Sequence, residues 1–188
     1  MVQKRILIAI TGATGAIYAL NILRLLKKID LIETHLIISN PGLISAKYET
    51  NLCIKDFHDL ADYTYKINDI TAPVASGSFD ITGMIIAPCS MRTLAAIANG
   101  ISDNLITRSA DVTLKERRRL VLLPIEAPLN LIHIKNMATI TEIGGIIFPP
   151  LITFYNHPSS IEDSVYNTIA RVLKLFDINI PQKIWQGI

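Results

Sequence analysis

The chain has 188 residues, of which 50% are hydrophobic and only 18% charged, with a formal net charge of +2. That balance suits one compact domain with a well-filled core, and it is too weakly basic to make nucleic acid the main partner. No apolar run reaches the roughly 18 residues of a membrane span, and the two cysteines lack the spacing of a zinc site or disulfide framework.

The opening MVQKRILIAI has no small-residue cleavage site and runs straight into an apolar strand, so a cytoplasmic chain without membrane contact is expected. Strand-length apolar runs recur at Arg5–Ile10, His35–Ser39, Met84–Ala87, Leu120–Pro124 and Gly145–Phe148. They are continuous rather than alternating, the pattern of strands buried on both faces of a parallel sheet. Between them lie helical spacings: Ile17, Leu20, Ile22, Leu23 and Leu26 form one apolar face, Thr93–Ile97 opens another, and Asp111–Arg119 is expected to form a third. Residues 53–82 are irregular and read as a smaller excursion. The final helix has a capping-box start in Ser159 and Glu162, ahead of Val165, Ile169, Val172 and Leu173. Together the elements predict an α/β three-layer sandwich around a doubly wound parallel sheet, one domain over residues 1–188. The segment Pro128–Ile143 is apolar on more than one face, which reserves surface for other subunits.

The stretch TGATGAIYAL follows the first strand as a glycine turn into a helix, a common phosphate-binding arrangement. A dinucleotide fingerprint needs a small residue where Tyr18 stands, and an acid where the second strand ends in Ile38-Ser39-Asn40. A mononucleotide gripped by several strand-end loops fits better. The candidate loops are Gly12-Ala13-Thr14, Ser39-Asn40 and Pro88–Thr93. The last offers Ser90, Met91, Arg92 and Thr93, with hydroxyls, helix-start amides and a cation in one turn. An ordinary turn with Ser90 as helix cap is the plain alternative.

Residues 85–124, IIAPCSMRTLAAIANGISDNLITRSADVTLKERRRLVLLP, resemble the signature of the UbiX-type flavin prenyltransferases, as do TGATGAIY, PVASGSF (73–79) and FPPLITFYNHP (148–158). The resemblance implies a flavodoxin-like or Rossmann-like flavoprotein that binds FMN and assembles as a homo-oligomer, often a dodecamer. The implied activity attaches a dimethylallyl group from dimethylallyl phosphate to N5 of reduced FMN, then closes a ring at C6. The product serves a partner decarboxylase that depends on prenylated FMN.

The chain has no aspartate-rich motif for a magnesium-bound diphosphate, so no metal is expected and cations and hydroxyls would meet the phosphate directly. By resemblance, Gly12, Ala13, Thr14, Ser39 and Ser90 to Thr93 contact FMN. Tyr155, Arg171 and Ser76 border the prenyl phosphate, with Lys115 arriving from a neighbouring subunit. Glu49, Glu126 and Thr14 stand near the reacting flavin, and Glu126 directly follows a buried strand, where desolvation would suit it to proton transfer.

Two positions depart from the family pattern. Ile125 replaces an arginine that usually precedes the glutamate, and Asn40-Pro41-Gly42 removes a second cation. Arg92 or Lys115 is the candidate to compensate. The departures keep open a flavin-binding paralogue with little transfer. Cysteine-type decarboxylation is a weaker reading, because PCSMRT stands where a substrate motif would be and Glu49 where a histidine would be.

Overall fold

The computed structural model describes residues 4–187. Met1–Gln3, part of the stretch read as lacking a leader, lie outside the described residues. In chain order the elements are β1 (Lys4–Ile10), α1 (Ala16–Leu26), β2 (Ile32–Ile38), α2 (Asn40–Thr50), α3 (Ile54–His58), β3 (Tyr63–Tyr65), β4 (Gly83–Cys89) and α4 (Met91–Ala98). There follow α5 (Leu105–Lys115), β5 (Arg119–Pro124), α6 (Leu131–Glu142), β6 (Ile146–Ile147) and α7 (Ile161–Lys174). Short 3-10 turns occupy Pro73–Ala75 and Phe154–Asn156.

Ile6 through Ile10 of β1 are fully buried, as are Met84 through Ala87 of β4 and Leu120 through Leu123 of β5, which is why their runs do not alternate. Pleating sends their side chains to opposite faces. Ile6, Ile8, Ile10, Ile85 and Val121 join Leu20 and Leu23 of α1 and Ile169, Val172 and Leu173 of α7 in one core. Leu7, Ala9, Ile86 and Leu122 join Leu94 and Ile97 of α4, Leu105 and Ala110 of α5 and Ile140 of α6 in the other. The two cores on either side of one sheet make the three expected layers.

The sheet is parallel throughout, in the order β3-β2-β1-β4-β5-β6. Without β3 this is the flavodoxin-like order, and the extra edge strand gives the order of a dinucleotide-binding sheet. In either description the chain reverses direction across the sheet between β1 and β4, where a crevice opens at the strands' carboxyl ends.

Several boundaries differ from the sequence reading. The excursion at 53–82 contributes β3 to the sheet, pairing Tyr63–Tyr65 with His35–Ile37. Three residues with exposed or half-buried side chains carry too short a pattern to signal a strand. The helix expected over Asp111–Arg119 is α5, Leu105–Lys115, and Arg117 turns the chain with φ 56° so that Arg119 already opens β5. Ser160, rather than Ser159, caps α7 by accepting the Asp163 N–H at 3.1 Å, while Ser159 bonds the Asp163 carboxylate. Helix α6 buries only Ile140. Leu129, Leu131, Ile132 and Ile134 are exposed, the surplus apolar surface expected of 128–143. Among the described residues no helix is long and apolar enough to cross a membrane.

Candidate functional site: a strand-end crevice and an apolar cavity at the sheet edge

A cavity of about 450 Å³ occupies the crevice. Its walls come from the end of β1 (Thr11, Gly12), the start of α2 (Ser39, Asn40, Pro41), the start of α4 (Ser90, Arg92, Thr93) and the start of α5 (Asp103, Asn104, Ile106), with Ile67 and Asn68 completing it. Three helix N-termini thus converge on one space, each with its cap in place. Ser39 accepts the Gly42 N–H at 3.0 Å, Ser90 accepts Thr93 N–H at 3.3 Å, and Asn104 accepts Ile106 and Thr107 N–H at 3.0 and 3.2 Å. The remaining first-turn amides and the helix dipoles favour an anion here.

The crevice is stitched shut beneath. Thr11 donates its hydroxyl to the Pro88 carbonyl at 2.8 Å and accepts the Ser90 N–H at 2.8 Å. Gly12 is required for closeness: a Cβ there would lie 2.5 Å from Pro41 Cβ. These groups have the chemistry a flavin mononucleotide would need: helix-start donors that would hold a phosphate, and apolar Pro41, Ile67 and Ile106 that would suit a ring.

Part of the glycine turn is engaged from within the protein. Glu49 of α2 lays its carboxylate over the start of α1, accepting Gly15 and Ala16 N–H at 2.9 Å each. The anion at the α1 N-terminus is therefore a side chain of the protein itself. Gly12 lines the crevice, whereas Ala13 and Thr14 are not among its walls and Thr14 is exposed. Met91 is likewise absent from the walls although Ser90, Arg92 and Thr93 form them. Arg92, in the crevice wall, pairs with Asp103 across an exposed surface. Ile125, in that arginine's place, reaches Gly15: a Cβ on Gly15 would lie 2.6 Å from Ile125 Cδ1.

Tyr155 and Arg171 come together at a different place, the β6 edge. A cavity of about 570 Å³ is floored by Ile147, Phe148, Leu151, Ile152 and Phe154, with Tyr155, Asn167, Thr168 and Arg171 supplying its polar groups. The Arg171 guanidinium lies 5.5 Å from the centre of the Phe148 ring, a cation–π contact that orients it. Beyond Tyr155 and Arg171 a second cavity, about 500 Å³, adds Arg119, Lys174, Lys183 and Trp185. The Trp185 ring packs edge-on against Tyr155, with centroids 5.6 Å apart.

Lys115 and Ser76 are not in either of these cavities. Lys115, paired with Glu116, lines a third space with Ile97, Ile101 and Asp111. A Cβ on Gly77 would lie 2.8 Å from Lys115 Nζ, so Ser76 and Lys115 share one edge of the molecule. Arginines fasten that edge: Arg108 donates to the Ala75 carbonyl at 3.2 Å, and Arg118 to Gly77 and Phe79 carbonyls at 2.8 and 2.9 Å. Within this chain Ser76 therefore lies on a different edge from Tyr155 and Arg171. The expected burial of Glu126 is corrected: it is exposed, accepting only the Ala127 N–H at 3.2 Å, because the chain leaves the sheet right after Pro124. Burial by this chain does not supply the desolvation expected there.

Residue reasoning on the sequence missed Asn68, Asp103 and Asn104 in the crevice, and Trp185 beside Tyr155. Ser102-Asp103-Asn104 before the apolar Leu105-Ile106 is a helix-start signal that would have found the α5 cap. Asn68 and Trp185 reach their places through loops and have no periodic signal.

The flavoprotein family model matches residues 1–177. A probable UbiX-like flavin prenyltransferase of Bacillus subtilis strain 168 is 48% identical over 187 residues, covering 99% of this chain and 91% of that protein. Among solved structures, a UbiX protein (PadA1) crystallised with FMN and dimethylallyl pyrophosphate superposes with a TM-score of 0.96, at 48% identity and 99% coverage of both chains. A dodecameric FMN-dependent UbiX-like decarboxylase from Escherichia coli O157:H7 gives a TM-score of 0.95 at 42% identity, covering 97% of this chain and 100% of that one. With the sheet order, the strand-end crevice and identity of this level over nearly the full length, the chain belongs to the UbiX-type flavin prenyltransferase family of flavoproteins.

Proposed function

We propose that this protein is a flavin prenyltransferase that joins a dimethylallyl group from dimethylallyl phosphate to reduced FMN and hands the prenylated cofactor to a decarboxylase that depends on it. The observation that carries this reading is the apolar cavity with Tyr155 and Arg171 in its wall. It offers a short hydrocarbon tail an aromatic and aliphatic floor, and its phosphate a guanidinium and a phenol. The UbiX relative that binds FMN together with dimethylallyl pyrophosphate supports the same pairing of ligands.

When bound in its reduced form, FMN supplies the nucleophilic N5. Gly12, Ser39, Ser90, Arg92 and Thr93, with Asn104 added, would hold the cofactor through helix-start amides and hydroxyls. Ala13, Thr14 and Met91 would act by contacts outside the crevice wall. Arg171 donates in-plane N–H bonds to the phosphate and Tyr155 its hydroxyl, neutralising charge as the bond to carbon breaks. Lys115 and Ser76 would reach this phosphate from another copy of the chain, since their own edge is a separate one. The reaction would then belong to a homo-oligomer, for which α6 offers exposed Leu131, Ile132 and Ile134. Glu126, Glu49 and Thr14 remain the proposed proton-handling group, with Glu126 desolvated by a neighbouring copy and Glu49 also fixing the α1 start. The charge of the departing phosphate is met by side chains, without a metal.

The test is the mass of flavin extracted after anaerobic incubation with reduced FMN and dimethylallyl phosphate. A gain of one dimethylallyl unit that requires the protein is expected. Unmodified flavin, with the diphosphate also supplied, would overturn the proposal and leave a flavin-binding paralogue with Ile125 as the cause.

A further inference from the structure

The wall of the apolar cavity contains a polar side chain that no reading has so far used. Asn167 stands one turn before Arg171 on α7, so both project from the same helix face. It is only 9% exposed. The adjacent Thr168 is engaged, donating to the Ser164 carbonyl at 3.0 Å. No hydrogen bond ties the Asn167 amide to another described residue. The amide is not sealed in the core either, for the one fully enclosed side-chain polar atom without a partner among the described residues is the Ser109 hydroxyl. Asn167 is among the residues that line the apolar cavity.

A nearly buried amide without a partner is costly, and proteins keep such groups where something binds them. We infer that Asn167 is a further ligand of the prenyl phosphate, its NH₂ donating to a phosphate oxygen beside the Arg171 guanidinium and the Tyr155 hydroxyl. The three groups differ in what they can recognise. Arg171 contributes charge and Tyr155 a single O–H, whereas Asn167 contributes a neutral donor from the cavity side of α7. Arg171 and Tyr155 also face the second cavity; Asn167 lines only the first. It therefore assigns the phosphate to the apolar cavity rather than to the space beside Lys174 and Lys183.

This inference rests on the proposed prenyl transfer for its ligand, and the experiment separates the two. Dimethylallyl phosphate binding is measured by calorimetry on the intact protein loaded with FMN, for wild type, Asn167→Asp and Asn167→Leu, alongside steady-state transfer. Asp replaces the donor by an anion of the same shape; Leu removes it and removes the unpaired amide, so that variant tests binding even where the first is destabilised. The dissociation constant should rise about 30-fold or more in Asn167→Asp and about tenfold in Asn167→Leu. FMN affinity should stay within about twofold, because Asn167 is not in the crevice, and the loss should appear in KM with kcat held within about threefold. Unchanged phosphate binding in both variants of an active enzyme would overturn the role of Asn167 and leave prenyl transfer standing. Wild-type binding without transfer, lost in both variants, would do the reverse. A wild type that binds no dimethylallyl phosphate would overturn both.

Discussion

The crevice at the β1–β4 switch and the cavity at the β6 edge are two kinds of site. The first is built from backbone geometry of one chain: three capped helix starts, the Thr11 stitch to Pro88 and Ser90, and Gly12 admitting Pro41. The second is open-ended. One guanidinium and one phenol face a broad apolar floor, while the lysine and serine that the family resemblance assigns to it sit on another edge. A site made by backbone geometry follows from the fold of one molecule; a site made by charges on separate edges requires an assembly.

The strongest way to break this contrast is subunit mixing. Arg171→Ala and Lys115→Ala should each lower kcat/KM by about 100-fold, the scale of a lost charged contact at a reacting phosphate. Co-assembled from the two inactive variants, the oligomer should regain about one quarter of wild-type activity, the share of sites that random mixing repairs when the residues come from different copies. No recovery would mean that Lys115 does not act across a subunit boundary.

A smaller effect probes the crevice. Ser90→Ala removes the α4 cap and one crevice hydroxyl, at a cost of about 1 kcal/mol in stability. FMN affinity, read by fluorescence titration, should fall roughly fivefold, and dimethylallyl phosphate binding should not change. Equal loss of both ligands would show that the sites are one unit.

The smallest effect separates the crevice from the sheet edge that borders it. His35 is buried, its rings stacked on Tyr63 and Tyr65, with Glu33 and the Tyr65 hydroxyl each 2.9 Å from a ring nitrogen and Arg5 bonded to the same Glu33. Burial lowers its pKa, partly opposed by the hydrogen bond and charge of Glu33 and by Asp62, and helped by Arg5. A depressed histidine favours the neutral fold, so its stabilisation is complete above the ordinary value of about 6.5 and is lost as pH falls through the folded value. Wild type should therefore lose melting temperature as pH falls below about 6.5, a loss that His35→Gln does not show. The strand it supports, β3, leads into Ile67 and Asn68 of the crevice, so FMN affinity should weaken with it.

The parallel sheet and its layers were legible because β1, β4 and β5 are buried on both faces and read as unbroken apolar runs. β3 was not, since Tyr63-Thr64-Tyr65 is held in the sheet by its pairing with His35–Ile37 rather than by a pattern of its own. In the site, Ser39 and Ser90 were legible as polar residues at strand ends. The burial expected of Glu126 was not found, because proximity in sequence to a buried strand says nothing of where the chain goes next. Asn167 went unnoticed because an asparagine within a helical stripe resembles any surface position until its neighbours are known.

Glu49 bears on how such proteins are recognised. By satisfying the amides of Gly15 and Ala16 it withdraws those two donors from any ligand, for a donor already engaged cannot discriminate. A nucleotide at this end of the sheet would then have to be recognised by other crevice residues, which lie far apart in the sequence and form no contiguous motif. A glycine turn opening a helix can thus have its first donors occupied by the protein's own carboxylate, so the motif alone does not say that a phosphate sits there.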